Sequence, residues 1–182
     1  MSHLDASSLY RAHAPFVASF LSRLGVDRDE LDDAVQEVFL VVHRKGGYVE
    51  GAAQPRTWLA EIALRVASRL RRTRRRRAWE TERGSDERQD PHTPFEALAA
   101  AQSLARVQQA IDTLSLEQGA VFILYEIEGE SCESIAAGLA VPIGTVYSRL
   151  HVARRGFLKV YERLAADAQR APRPPAERGA LP

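Results

Sequence analysis

Residues 131–155 read SCESIAAGLAVPIGTVYSRLHVARR, and the spacing of their apolar positions predicts a helix, a tight turn and a second helix. Ile135 and Leu139 fall four apart on one face of the first helix, while Val146, Leu150, Ala153 and Phe157 recur at helical spacing on the second. The two stripes can pack on each other and leave the opposite side of the second helix free to enter a major groove. Ser131 stands as the N-cap of the first helix, and Pro142 falls in the first turn of the second, where a missing N–H costs nothing. With the stripe turned inward, Ser148, His151 and Arg155 face outward and Arg149 and Arg154 flank them. This is the pattern of a DNA-reading helix-turn-helix. Two amphipathic helices of an ordinary bundle are the plainer alternative.

Working upstream, Ser115-Leu116-Glu117-Gln118 forms a capping box ahead of Ala120, Val121, Phe122, Leu124 and Ile127, so a further helix precedes the pair. A helical domain over 96–165 follows. Before it, residues 79–95, WETERGSDERQDPHTPF, lose the apolar period and are punctuated by Gly84, Pro91 and Pro94. Their composition predicts a flexible acidic linker. A chain of 182 residues, 45% hydrophobic, has enough apolar material for two small cores, one on each side of it.

In the first domain, over 5–78, Asp27 and Glu30 have capping-box spacing and open a helix reaching about Lys45. Leu31, Val35, Val38, Phe39 and Val42 make its core stripe; Asp29, Asp33, Gln36 and Glu37 lie on the other side with Leu40 among them. A leucine facing away from its own core suggests a partner surface, against the alternative of a solvated acidic face with one stray apolar residue. The loop GGYVEGAAQP, 46–55, leads into a helix opened by Arg56-Thr57-Trp58, with Leu59, Ile62, Val66 and Leu70 as its buried stripe. Trp58, which borders that stripe, Arg65, Arg69 and Arg72 run along an adjoining strip, and eight arginines crowd into positions 65–77 with no Asp or Glu among them. Such density repels itself, and a polyanion relieves the repulsion. The formal net charge of +1 conceals this segregation.

Cys132 is the only cysteine, which excludes an internal disulfide or a cysteine-cluster metal site and fits a reducing compartment. The N-terminal MSHLDASSLY lacks the apolar stretch of a signal peptide, and no apolar run is long enough to span a bilayer, so a cytoplasmic location is expected. The tail over 166–182 is proline-rich, without periodicity, and expected to be disordered. No paired carboxylates, metal-ligand cluster, Ser/His/Asp set or glycine-rich phosphate loop has usable spacing, so no catalytic residue, metal or cofactor is expected and an enzyme acting on nucleic acid is disfavoured.

Three segments resemble a known family, the extracytoplasmic-function sigma factors of bacterial RNA polymerase, in the sigma-70 family. DELDDAVQEVFLVVHRK (29–45) resembles its core-polymerase-binding helix, PRTWLAEIALRVASRLRR (55–72) its promoter-melting helix, and 110–157 its helix-turn-helix domain, in the family's order and spacing. The resemblance implies an all-α chain of two small helical domains that binds polymerase core and directs promoter-specific initiation. By carry-over, Asp33, Gln36, Glu37 and Leu40 would meet the polymerase. Tyr48, Arg56, Trp58, Arg65, Arg69 and Arg72 would engage the minus-ten element, and the loop before Arg56 would take up a flipped base. Thr145, Tyr147, Ser148, Arg149, His151, Arg154 and Arg155 would meet the minus-35 element. The acidic linker would run through the polymerase interior, and an anti-sigma factor is the expected negative regulator. Ala140 stands where glycine is common in such turns, which requires a backbone there without positive φ. Tyr147 and Val152 replace frequent basic residues, Cys132 a tyrosine and His43 a tryptophan; these departures bear on promoter sequence rather than class. A stand-alone helix-turn-helix regulator is the alternative, and the acidic and arginine-rich helices speak against it.

Overall fold

The computed structural model describes residues 3–80 and 95–170. The first domain holds β1 (His3–Leu4), α1 (Ala6–Arg23), α2 (Arg28–Arg44), β2 (Tyr48–Val49) and α3 (Pro55–Glu80). The second holds α4 (Phe95–Asp112), α5 (Leu116–Phe122), which runs on as a π-helical turn over Ile123–Ile127, α6 (Cys132–Gly138) and α7 (Ile143–Arg170). Among the described residues the fold is all-α apart from one antiparallel two-stranded ribbon pairing His3 with Val49 and Leu4 with Tyr48. Too short to show a period of two, that ribbon left no signal in the sequence. It ties the N-terminus to the loop ahead of α3.

The apolar stripes are buried as their spacing predicts. Val35, Val38, Phe39 and Val42 of α2 meet Leu59, Ile62 and Val66 of α3 and Leu9, Val17, Phe20 and Leu21 of α1, while Leu31 and Leu70 are half-buried at the edge. In the second domain Ile135, Leu139, Val146, Leu150 and Ala153 are buried, and Phe157 is half-buried between the rings of Phe122 and Tyr161. Full burial of one such aliphatic side chain stabilises by about 1.5–3 kcal/mol. The capping box at Ser115 and Gln118 forms in both directions, and Ser131 accepts from the Ser134 N–H.

Several boundaries differ from expectation. Asp27 is the N-cap residue of α2 without a side-chain cap bond; Arg74 takes its carboxylate at 2.8 Å, an ion pair outbidding a neutral N–H. Pro142 precedes α7 and supplies its first acceptor, to the Thr145 N–H at 2.8 Å. Ala140 takes φ 53°, the left-handed conformation it was expected to avoid, because the chain must reverse between α6 and α7. The arginine helix runs two residues past the predicted domain end, to Glu80, and α7 runs to Arg170, into the stretch expected to be disordered. The rest of the acidic linker, 81–94, and the tail from 171 lie outside the described residues.

Candidate nucleic-acid and polymerase interfaces

Three surfaces carry the predicted side chains. On α2, Asp33, Gln36 and Leu40 are exposed, Leu40 at 53%, along the side opposite the core stripe. Glu37 belongs to the same side but is half-buried and holds Arg69 of α3 in an ion pair. The acidic face and the arginine helix are therefore joined by a bridge.

The second surface is the loop before α3 together with α3 itself. Tyr48 is buried, its hydroxyl donating to the Ala53 carbonyl at 2.5 Å and its ring 5.6 Å from that of half-buried Trp58. In this arrangement Tyr48 braces the loop, and Val49, Glu50, Gly51 and Ala52 form its exposed tip. Gly47 takes φ 93°, and a Cβ there would overlap the Leu4 carbonyl oxygen, so the loop entry needs glycine. Down α3, Arg65 pairs with Glu61 one turn earlier, Arg69 with Glu37, and Arg74 with Asp27 and with Glu30 at 3.0 Å. The run that looked unrelieved in sequence is partly neutralised by carboxylates of α2 and of α3's own first turns. Arg71, Arg72, Arg75, Arg76 and Arg77 have exposed side chains.

The third surface is α7, whose axis turns 112° from α6, within the range of DNA-binding helix pairs. Ser148, His151 and Arg155 are exposed on the side away from the buried stripe, as is Tyr147 at 52%; Thr145 and Arg149 are half-buried at its margins. Arg154 is engaged internally: its Nε donates to Glu126 at 2.5 Å and its guanidinium lies over the Tyr125 ring, and the Glu126 bond pushes its pKa further up. Val152, absent from the predicted set, is 49% exposed between Ser148 and Arg155. The i, i+4, i+7 spacing of 148, 152 and 155 was the available signal. Ser148 donates its hydroxyl proton to the Thr145 carbonyl at 3.0 Å, leaving its oxygen to accept from a partner.

The sequence reading also missed a contact between the domains. Arg56, at the start of α3, pairs with Glu128 of the second domain, and Thr57 is fully buried with its hydroxyl 3.3 Å from that of Ser134. His13, half-buried nearby, has its pKa lowered by burial and then by the Arg56 charge. Cys132 is buried, which pushes its thiol pKa up and leaves it a poor nucleophile. Among the described residues no cluster of His, Cys, Asp and Glu is placed to hold a metal ion, and no single helix is long and apolar enough to cross a membrane.

Comparison with known proteins matches the chain to two family models, Sigma-70 region 2 over residues 9–77 and Sigma-70 region 4 over 104–155. The chain is 34% identical over 148 residues to RNA polymerase sigma factor HrpL of Pseudomonas syringae pv. syringae, covering 75% of this chain and 76% of that protein. It is 32% identical over 151 residues to ECF RNA polymerase sigma factor SigL of Mycobacterium tuberculosis, covering 82% and 85%. Among solved structures, the sigma factor RpoE of Bartonella quintana, crystallised with the anti-sigma factor NepR, shares the fold with a TM-score of 0.66 at 23% identity, over 84% of this chain and 94% of that one. With both sigma regions in order on one all-α chain, the protein belongs to the extracytoplasmic-function sigma factors of the sigma-70 family, which direct promoter-specific transcription initiation.

Proposed function

We propose that the three surfaces divide the work of initiation as follows. The outward face of α2, with Asp33, Gln36, Glu37 and Leu40, docks on the polymerase core, with Leu40 as the apolar anchor inside a polar rim. The loop tip ahead of α3 receives a base flipped from the non-template strand of the minus-ten element, at an unstacking cost of a few kcal/mol, while Arg65, Arg69 and Arg72 track the phosphates. The exposed face of α7 reads the minus-35 element in the major groove, Ser148, His151 and Arg155 meeting base edges with Thr145, Tyr147 and Arg149 around them, and Arg154 reinforces the helix. The chain acts in the cytoplasm, where core polymerase is, and an anti-sigma protein holds it inactive until a signal arrives. A solved structure with this fold contains the sigma factor RpoE in complex with the anti-sigma factor NepR, and another contains CnrH in complex with the cytosolic domain of CnrY.

The observation that carries this reading is the exposure of Leu40 on an acidic helix whose core side is already buried through Val35, Val38, Phe39 and Val42. The test is in vitro transcription with purified core polymerase and a genomic promoter library. Start sites that appear only when this chain is added support the reading. Tight duplex binding by the chain alone, with no new start sites, would return it to a stand-alone regulator.

A further inference from the structure

Where the end of α1 and the C-terminal half of α3 meet the corner between α4 and α5 lies a cavity of about 220 Å³, with Arg23, Arg71, Arg74, Asp112 and Ser115 in its walls. A neighbouring hollow of about 260 Å³ shares Arg71 and Ser115 with it and adds Arg72, Arg75 and Glu117. Among the described residues, the arginines at 23, 71, 72, 74 and 75 thus line the two hollows against only two carboxylates, Asp112 and Glu117. Two of these arginines are held from behind. Glu128 takes Arg23 at 3.4 Å, and Asp27 and Glu30 take Arg74 at 2.8 and 3.0 Å; none of those carboxylates lines either hollow. Such pairs fix the guanidinium groups without filling the space in front of them. Arg71, Arg72 and Arg75 have no ion-pair or hydrogen-bond partner among the described residues. Ser115 accepts the Gln118 N–H at 3.2 Å, and its hydroxyl proton is left to donate.

From this geometry we infer a binding site for a small polyphosphate, free or carried on a nucleoside, in the cleft formed by the two hollows. Guanidinium groups suit phosphate oxygens because each presents a planar fork of N–H donors, and charge-assisted bonds of this kind are among the strong ones. Like charges this close repel, and linked phosphates relieve several of them at once where a single phosphate relieves one or two. Arg71 belongs to both hollows, so a chain of phosphates lying across their junction meets it from either side. Leu24, Val26, Ile111 and Leu114 give the first hollow an apolar wall against which the face of a nucleobase can rest. The space sets the class of ligand. A nucleic-acid duplex is too wide to enter and can meet Arg72 and Arg75 only along the outer side of α3. Because the walls come from both domains, a bound polyphosphate also stabilises the folded chain by mass action.

Isothermal titration calorimetry of the full chain at physiological salt, without divalent cations, tests the site with tripolyphosphate, ATP and orthophosphate as probes. Tripolyphosphate should bind one to one, about tenfold more tightly than orthophosphate, and should raise the urea midpoint. Arg71→Ala, at the junction, should weaken tripolyphosphate binding about fivefold, and Asp112→Asn, which takes a negative charge out of the wall, should tighten it several-fold. Arg76→Ala, on the same helix but outside both hollows, should change it less than about twofold. Arg71 and Arg76 are both exposed, so circular dichroism should show both variants folded. ATP binding as tight as that of tripolyphosphate identifies a nucleoside-linked ligand, and weaker ATP binding a free polyphosphate; either supports the site. Binding of several tripolyphosphates per chain, equal losses in Arg71→Ala and Arg76→Ala, or no preference for tripolyphosphate over orthophosphate would overturn it and leave a charged helix with its counterions. The measurements use neither polymerase nor promoter DNA, so their outcome is independent of the roles proposed in initiation.

Discussion

Among the described residues Ala140 is the one non-glycine residue with a left-handed backbone. A left-handed conformation costs an alanine about 1–2 kcal/mol, whereas glycine adopts it freely and gives back about 0.4–1 kcal/mol through its looser unfolded chain. Ala140→Gly should therefore stabilise the protein by about 0.5–1 kcal/mol, seen as a higher urea midpoint at unchanged m value; a lower midpoint would show that the turn is not strained. On α7, under the proposed reading of the minus-35 element, the geometry bears on what each side chain would meet. Ser148, its proton committed to Thr145, is left as an acceptor suited to the amino group of adenine or cytosine, and Val152 offers methyl groups suited to a thymine methyl. Ser148→Ala, His151→Ala and Val152→Ala should each change the preferred minus-35 sequence, a lost contact being worth about 1–3 kcal/mol at its own position. Arg149→Ala should lower affinity for all sequences alike. Arg154→Ala should chiefly destabilise α7 against the π-helical turn that carries Glu126. Promoter-selection profiles check the set, and identical sequence logos for parent, Ser148→Ala and His151→Ala would remove this face from base reading.

At the scale of elements, α2 and α3 are joined by ion pairs, Glu37 with Arg69 and Glu30 with Arg74. Leu40→Ala with Gln36→Ala should weaken core binding by about 1–3 kcal/mol, as for central interface anchors, and leave the melting temperature nearly unchanged, since neither side chain is in the core. Equal losses in both would make Leu40 structural. On α3 the arginines divide by partner. Replacing exposed Arg71, Arg72 and Arg75 should make the salt dependence of open-complex formation shallower by up to about one log unit per lost phosphate contact, on every promoter alike. Arg74, which holds Asp27 and Glu30, should instead cost stability when replaced. An unchanged salt slope for the triple variant would make those arginines a solvated surface.

At the scale of the molecule, buried apolar side chains among the described residues form a connected cluster running from Leu9 through Ala153, across both domains. Unfolding in urea should accordingly be a single transition, with fluorescence and circular dichroism coincident. Gly138→Ala, which presses α6 off Thr57, should split it into two. Two transitions in the parent chain would show that the domains do not share their stability.

How much of this the chain announces depends on range. Helix-forming stripes, the capping box at Ser115, the N-cap at Ser131 and the outward set on α7 are decided by neighbours three or four positions away, so the sequence by itself determined them, and with them the two helical domains and their class. The tertiary structure decided what distant partners arbitrate. Asp27 gives up its cap to Arg74, 47 positions on, the arginine run is relieved by Glu30, Glu37 and Asp27, and Tyr48 turns inward under its loop. The meeting of Gly138 with Thr57 was beyond sequence reading altogether. A glycine at the end of a helix looks only like a helix stop, and what it is for depends on a threonine 81 positions away that comes close enough to exclude a Cβ.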